Sequence, residues 1–107
     1  MRRFYQSQIR AALAHAQAGG QALHTHRIIP DPRRAPRCFT EAVRRGDSIG
    51  HLFDTDADRL EATARQLGIG WAPIQRRGRR GQHIDLCGRA LARAIERTKP
   101  HHQEKGR

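Results

Sequence analysis

The stretch from residue 48 to 69 constrains the fold more than any other part of the chain. Ser48 to Phe53 is an apolar run of strand length, and Asp54-Thr55-Asp56 breaks it at once. Beyond the break, Ala57, Leu60, Ala64 and Leu67 recur at three- and four-residue spacing, the stripe of an amphipathic helix. Thr55 is placed to cap that helix with Asp58 as capping-box partner, and acids cluster at its positive end. Gly68 followed by Ile69 has the form of a left-handed stop with its hydrophobic contact. A strand running straight into a one-sided helix has to lay that helix on a sheet. This predicts an α+β domain.

The rest of the chain is read outward from that unit. Gln82 to Asp85 predicts a second extended segment, after which Asp85 caps a last helix through Arg97 that buries Leu86, Ala90, Leu91, Ala94 and Ile95. Toward the start, Phe4, Tyr5, Ile9, Ala12, Leu13 and Ala16 fall on one side of a helix over 3–18, stopped by Gly19-Gly20. Arg27-Ile28-Ile29 predicts a short extended piece, Pro30 to Arg37 an irregular basic loop, and Phe39 to Arg45 two turns of helix closed by Gly46. Trp71 to Ile74 reads as extended, with Pro73 confining it to an edge and Trp71 as a core plug rather than a base-stacking ring. The expected architecture is a small two- or three-stranded sheet, from Ile28-Ile29, Ser48–Phe53 and Gln82–Asp85, covered by about three helices. Residues 1–46 form a helix and a basic Pro/Arg loop, either an arm or the first part of the domain. Residues 47–98 form the α+β core and 99–107 a solvated tail.

Size and composition set outer limits. In 107 residues there is room for one core, and Leu, Ile, Val and Phe together number only 19, which excludes a large multi-substrate enzyme. No apolar run approaches the ~18 residues of a membrane helix. Met1 to Gln8 lacks the apolar stretch of a secretory signal, and Cys38 and Cys87 are isolated, with no CxxC framework for a thiolate zinc cage. The expected setting is cytoplasmic, with both cysteines as thiols.

Charge points to a partner. The formal net charge is +11, and Arg outnumbers Lys 19 to 2. Residues 1–45 hold nine Arg against two acids and residues 76–107 ten basic residues against three acids, whereas residues 46–75 hold two Arg against five acids. Arg76-Arg77-Gly78-Arg79-Arg80-Gly81 is a glycine-punctuated basic turn, and Arg89, Arg93 and Arg97 form one stripe on the last helix. Guanidinium groups bind phosphate bidentately, so these seven arginines predict contact with the backbone of DNA or RNA. The expected function is a small nucleic-acid-binding accessory protein. Two plainer readings remain beside it: arginine enrichment from a GC-rich genome, and an adaptor or inhibitor whose basic arms clasp an acidic protein surface.

A second constellation carries possible chemistry. His51-Leu-Phe-Asp54 and His83-Ile-Asp85 each end a predicted strand. His51, Asp54, His83 and Asp85 at neighbouring strand ends would hold one divalent metal ion, or act as base and orienter, in a metal-dependent nuclease or phosphodiesterase. In the bland alternative Asp54 and Asp85 only cap helices and there is no cofactor. His24-Thr25-His26 would add ligands, or is simple alternation along an exposed segment; His101-His102 belongs to the tail.

The ordered series Gly50-His51-Leu52-Phe53-Asp54-Thr55, Leu60-Glu61-Ala62, Gln66-Leu67-Gly68-Ile69, His83-Ile84-Asp85-Leu86 and Arg89-Ala90-Leu91-Ala92 resembles domain of unknown function 4031, a phage and bacterial family. That family has a His-Leu strand ending in Asp-Thr, an amphipathic helix closed by Gly, a Gln, and a His-Tyr-Asp-Leu motif opening a basic helix. The likeness spans residues 47–97, about half the chain. Gln75 stands where the family's Gln falls, and Ile84 replaces its tyrosine. The resemblance implies an α+β fold and groups His51, Asp54, His83 and Asp85 as a set. It carries no assigned activity.

Overall fold

Backbone pairing across four strands organises the molecule. The computed structural model describes residues 1–27, 48–70 and 73–99. β1 (Arg2–Tyr5) pairs in parallel with β2 (Ala22–Arg27), β2 pairs antiparallel with β3 (Ser48–Phe53), and β3 antiparallel with β4 (His83–Leu86). The sheet order is therefore β1-β2-β3-β4. A 3₁₀ turn at Gln6–Gln8 leads into α1 (Ile9–Gln17), which joins β1 to β2. α2 (Ala57–Gln66) follows β3, and α3 (Gly88–Thr98) follows β4. The α+β class is as expected; the sheet has one strand more.

Strand periodicity divides the buried residues into two sets. Leu23, Leu52, Ile84 and Leu86 point to one side, where Leu60, Ala64 and Leu67 from the α2 segment and Leu91 and Ala94 from α3 cover them. Phe4, Ala22 and Phe53 point to the other, against Ala12 and Ala16 of α1. Gly50 lies under α3: a Cβ there would stand 2.7 Å from Leu91 Cδ1, so glycine lets Leu91 seat on the sheet.

Local signals around α2 hold with one shift. Asp56, not Thr55, is the N-cap: its Oδ1 accepts the Arg59 N–H at 3.1 Å, and Asp54 Oδ1 accepts the Asp56 N–H at 2.9 Å. The helix ends in a Schellman turn, with Ile69 N donating to Ala64 O and Gly68 N to Arg65 O, Gly68 at φ +89°. Arg93 Nη1 adds a bond to Leu67 O at 2.9 Å and ties α3 to the end of α2.

Three expectations are corrected. The predicted helix over 3–18 begins only at Ile9, because Arg2–Tyr5 gains a ladder of backbone bonds along β2 and buries Phe4 by alternation. Residues 1–27 are thus the first part of the domain, not an arm. Asp85 does not cap the last helix; Cys87 holds that position, and Asp85 lies within β4. The His24-Thr25-His26 segment is not exposed but occupies an interior strand, with His24 and Thr25 buried. The expected strand at Ile28-Ile29, the 30–37 loop, the 39–45 helix, Trp71 and the tail from Pro100 lie outside the described residues. No helix among the described residues is long and apolar enough to cross a membrane.

Candidate functional site: a histidine face with an arginine rim

The strand alternation that sends leucines to α2 and α3 sends His24, His26, His51, His83 and Asp85 to the α1 side. Cross-strand register fixes their order: His24 is opposite His51, His51 opposite Asp85, and Phe53 opposite His83. α1 covers the Ala22 and Phe53 end of this face, and the polar residues continue beyond it.

His51 is the hub. Its Nδ1 lies 2.7 Å from Asp85 Oδ1, and its Nε2 lies 3.0 Å from the Nε2 of His26. The His83 ring meets it edge-on with centroids 5.2 Å apart. His83 Nε2 is 3.3 Å from the same Asp85 oxygen, and its Nδ1 is 2.7 Å from Gly81 O. Gln75 bridges to β4 through its backbone, and its side-chain Nε2 donates to Asp85 Oδ2 at 2.6 Å. His24 Nε2 donates to Gln6 O at 2.8 Å, whereas its Nδ1 is buried and has no hydrogen-bond partner among the described residues.

Charge in the site follows from these contacts. Burial alone would raise the Asp85 pKa, but the imidazoles of His51 and His83 more than offset it, so the carboxyl stays ionised well below the usual range. Burial opposes a charged His83, yet its bonds to Asp85 and Gly81 O hold its pKa above the ordinary value. His24 goes the other way: burial lowers its pKa, and neighbouring His26 and His51 add to that against the bond to Gln6 O.

The basic turn folds over this face. Arg76 has φ +56° and Gly78 and Gly81 are also left-handed, which tightens the link from Gln75 to His83. Arg76, Arg80 and Gly81 line a cavity of about 420 Å³ together with Ile9 and Leu13 of α1 and with His24, His51, Phe53 and His83. The other predicted phosphate contacts lie elsewhere. Arg77 pairs with Glu61 at 3.2 Å, Arg93 is held by Leu67 O, and Arg79, Arg89 and Arg97 are exposed. Arg89 and Arg97 belong to α3, on the opposite side of the sheet from the cavity.

Three members of the predicted His/Asp set come together. Among the described residues, His51, His83 and Asp85 each offer a ligand atom within 4.8 Å of the others. Asp54 does not join them. Fully buried beside α2, it accepts two bonds from Arg59, both at 2.7 Å, and one from Gln21 at 2.9 Å. Burial would raise its pKa, but these partners hold it below the ordinary value. His26 is the member that spacing undervalued. The signal was its two-residue separation from His24, which puts both on one face once the segment is a strand. Against known protein families, curated proteins and solved structures the chain finds no match.

Proposed function

We propose that this protein binds nucleic acid, taking a phosphate-bearing unit of the strand into the cavity between α1 and the basic turn. The observation that carries the reading is that Arg76 and Arg80 line the same cavity as three histidines and the apolar side chains of Ile9, Leu13 and Phe53. Guanidinium groups suit the phosphate, and the apolar wall suits a base or sugar.

Oligonucleotide affinity measured by fluorescence anisotropy across salt concentrations tests this. Affinity falls steeply with salt, because each neutralised phosphate releases counterion. Replacing Arg76 and Arg80 with serine flattens the log–log slope by about 1.5, from roughly 0.7–0.9 per contact. Arg89→Ser and Arg97→Ser change it less. Absence of binding at low salt rejects the reading, and an unchanged slope in R76S/R80S removes the contact from this cavity.

A further inference from the structure

We infer that His51, His83 and Asp85 hold one divalent transition-metal ion, with His26, Gly81 and Gln75 as the groups that orient these three ligands. The geometry of the donor atoms leads there, since His51, His83 and Asp85 each offer a ligand atom within 4.8 Å of the others. A carbonyl oxygen only accepts, so His26 Nδ1, 3.2 Å from Arg27 O, and His83 Nδ1, 2.7 Å from Gly81 O, each carry a proton. The Nε2 of a neutral His26 is then a lone pair, and the Nε2 of His51, 3.0 Å away, has to supply the hydrogen between them. In the neutral tautomer this uses the single N–H of His51. Its Nδ1 is left as a lone pair facing Asp85 Oδ1 at 2.7 Å, and the lone pair of His83 Nε2 faces the same oxygen at 3.3 Å.

With both rings neutral, three electron-rich atoms converge, and one ligand atom each of His51, His83 and Asp85 lies within 4.8 Å of the others. A proton on His51 satisfies its contact with Asp85 and one on His83 satisfies the other, whereas a metal ion takes the place of both. A single metal ion does so with every other hydrogen bond already in place: His83 donates to Gly81 O, His51 to His26, and Gln75 to Asp85 Oδ2. This is the outer shell that metal-bound imidazoles and carboxylates use. The separations of 2.7 and 3.3 Å are close to the roughly 3 Å edges of a coordination sphere with ~2.0–2.2 Å bonds. Two imidazoles with one carboxylate favour Zn²⁺, Co²⁺ or Fe²⁺ over Mg²⁺ or Ca²⁺.

Three protein ligands leave coordination positions open, and His51 and His83 line the cavity. The chemistry at those positions rests on the nucleic-acid reading: the ion activates water against a phosphodiester held by Arg76 and Arg80. The water oxygen bonds to phosphorus and the ester P–O bond breaks. One water proton goes to the leaving alcohol, and the other is lost as the new phosphate ionises.

The test uses untagged full-length protein stripped by chelator and titrated with Co²⁺, read by visible absorption and calorimetry. One equivalent binds, and His101→Ala/His102→Ala in the tail leaves this unchanged. His83→Gln and Asp85→Asn each weaken binding at least about 100-fold, and His26→Gln weakens it about 10- to 100-fold, as loss of an orienting partner does. Melting curves of the same variants establish that each is folded; Asp85→Asn, isosteric, is the decisive one. No binding of Co²⁺ or Zn²⁺, or binding unaltered in both His83→Gln and Asp85→Asn, overturns the site. Oligonucleotide anisotropy on the stripped protein reads nucleic-acid binding separately. Hydrolysis of bis(p-nitrophenyl) phosphate by the loaded but not the stripped protein supports the water activation; equal rates overturn it.

Discussion

The two faces of the sheet are built from the same strands and do different work. Toward α2 and α3, Leu23, Leu52, Ile84 and Leu86 are all at most 1% exposed and meet leucines from the helices. Toward α1, the same strands present Ala22 and Phe53, met by the small residues Ala12 and Ala16, and then five polar side chains beyond them. Large aliphatic burial stabilises at roughly 1.5–3 kcal/mol per side chain, and alanine burial far less. The leucine face therefore carries the stability, and this frees the histidine face to hold groups that would weaken a core. A chain with only 19 Leu, Ile, Val and Phe residues has too few to fill both.

The contrast breaks most visibly at Leu52. Leu52→Ala is expected to cost about 3 kcal/mol, the usual loss for a fully buried leucine, seen as a fall in the urea midpoint. Next comes Arg59, which covers the buried Asp54 from the α2 side. Among the described residues, Arg59→Met leaves that carboxylate with only Gln21 and the Asp56 N–H, at a cost of about 2 kcal/mol. This is below the range for a fully buried pair because the Arg59 side chain is 43% exposed. The pair also sets an acid limit. The folded Asp54 pKa lies below its ordinary value of 3.8, so its contribution is fully present above that value and is lost as pH falls through the folded pKa. Acid unfolding of Arg59→Met, followed by circular dichroism, should begin at higher pH than in the parent.

Smaller effects sharpen the picture. Arg93→Met removes the bond to Leu67 O and is expected to cost about 1 kcal/mol while leaving oligonucleotide affinity nearly unchanged. His83→Gln should shift stability by less than about 1 kcal/mol in denaturant, since it belongs to the face that does not carry the core. A collapse of the fold in His83→Gln would erase the distinction between the faces.

What was legible in the sequence was local. β3, α2 and its Gly68-Ile69 stop are written in contiguous residues, and their boundaries were readable to within a residue or two. β1 was hidden because Phe4 and Tyr5 continue the helical spacing of Ile9 and Leu13. Only pairing with β2, twenty residues further on, makes the segment a strand. The site was half legible for the same reason. His51, His83 and Asp85 stood out as motif residues, yet a helix cap was the stronger local explanation of Asp85. The register sets Asp85 within β4 opposite His51 and not at the helix cap, and register is a long-range property. Asp54 looked equivalent to Asp85 in sequence. One residue of alternation past Phe53 turned it toward α2 and Arg59 instead.

The division of labour between the faces is tested most directly by ¹⁵N–¹H imidazole spectra recorded while an oligonucleotide is added at low salt. Resonances of His24, His51 and His83 should move in proportion to occupancy, with the α3 backbone around Arg89 and Arg97 nearly still. Movement along α3 with unmoved His51 and His83 would contradict it, and would put the nucleic acid on the side of the sheet that the leucines hold together.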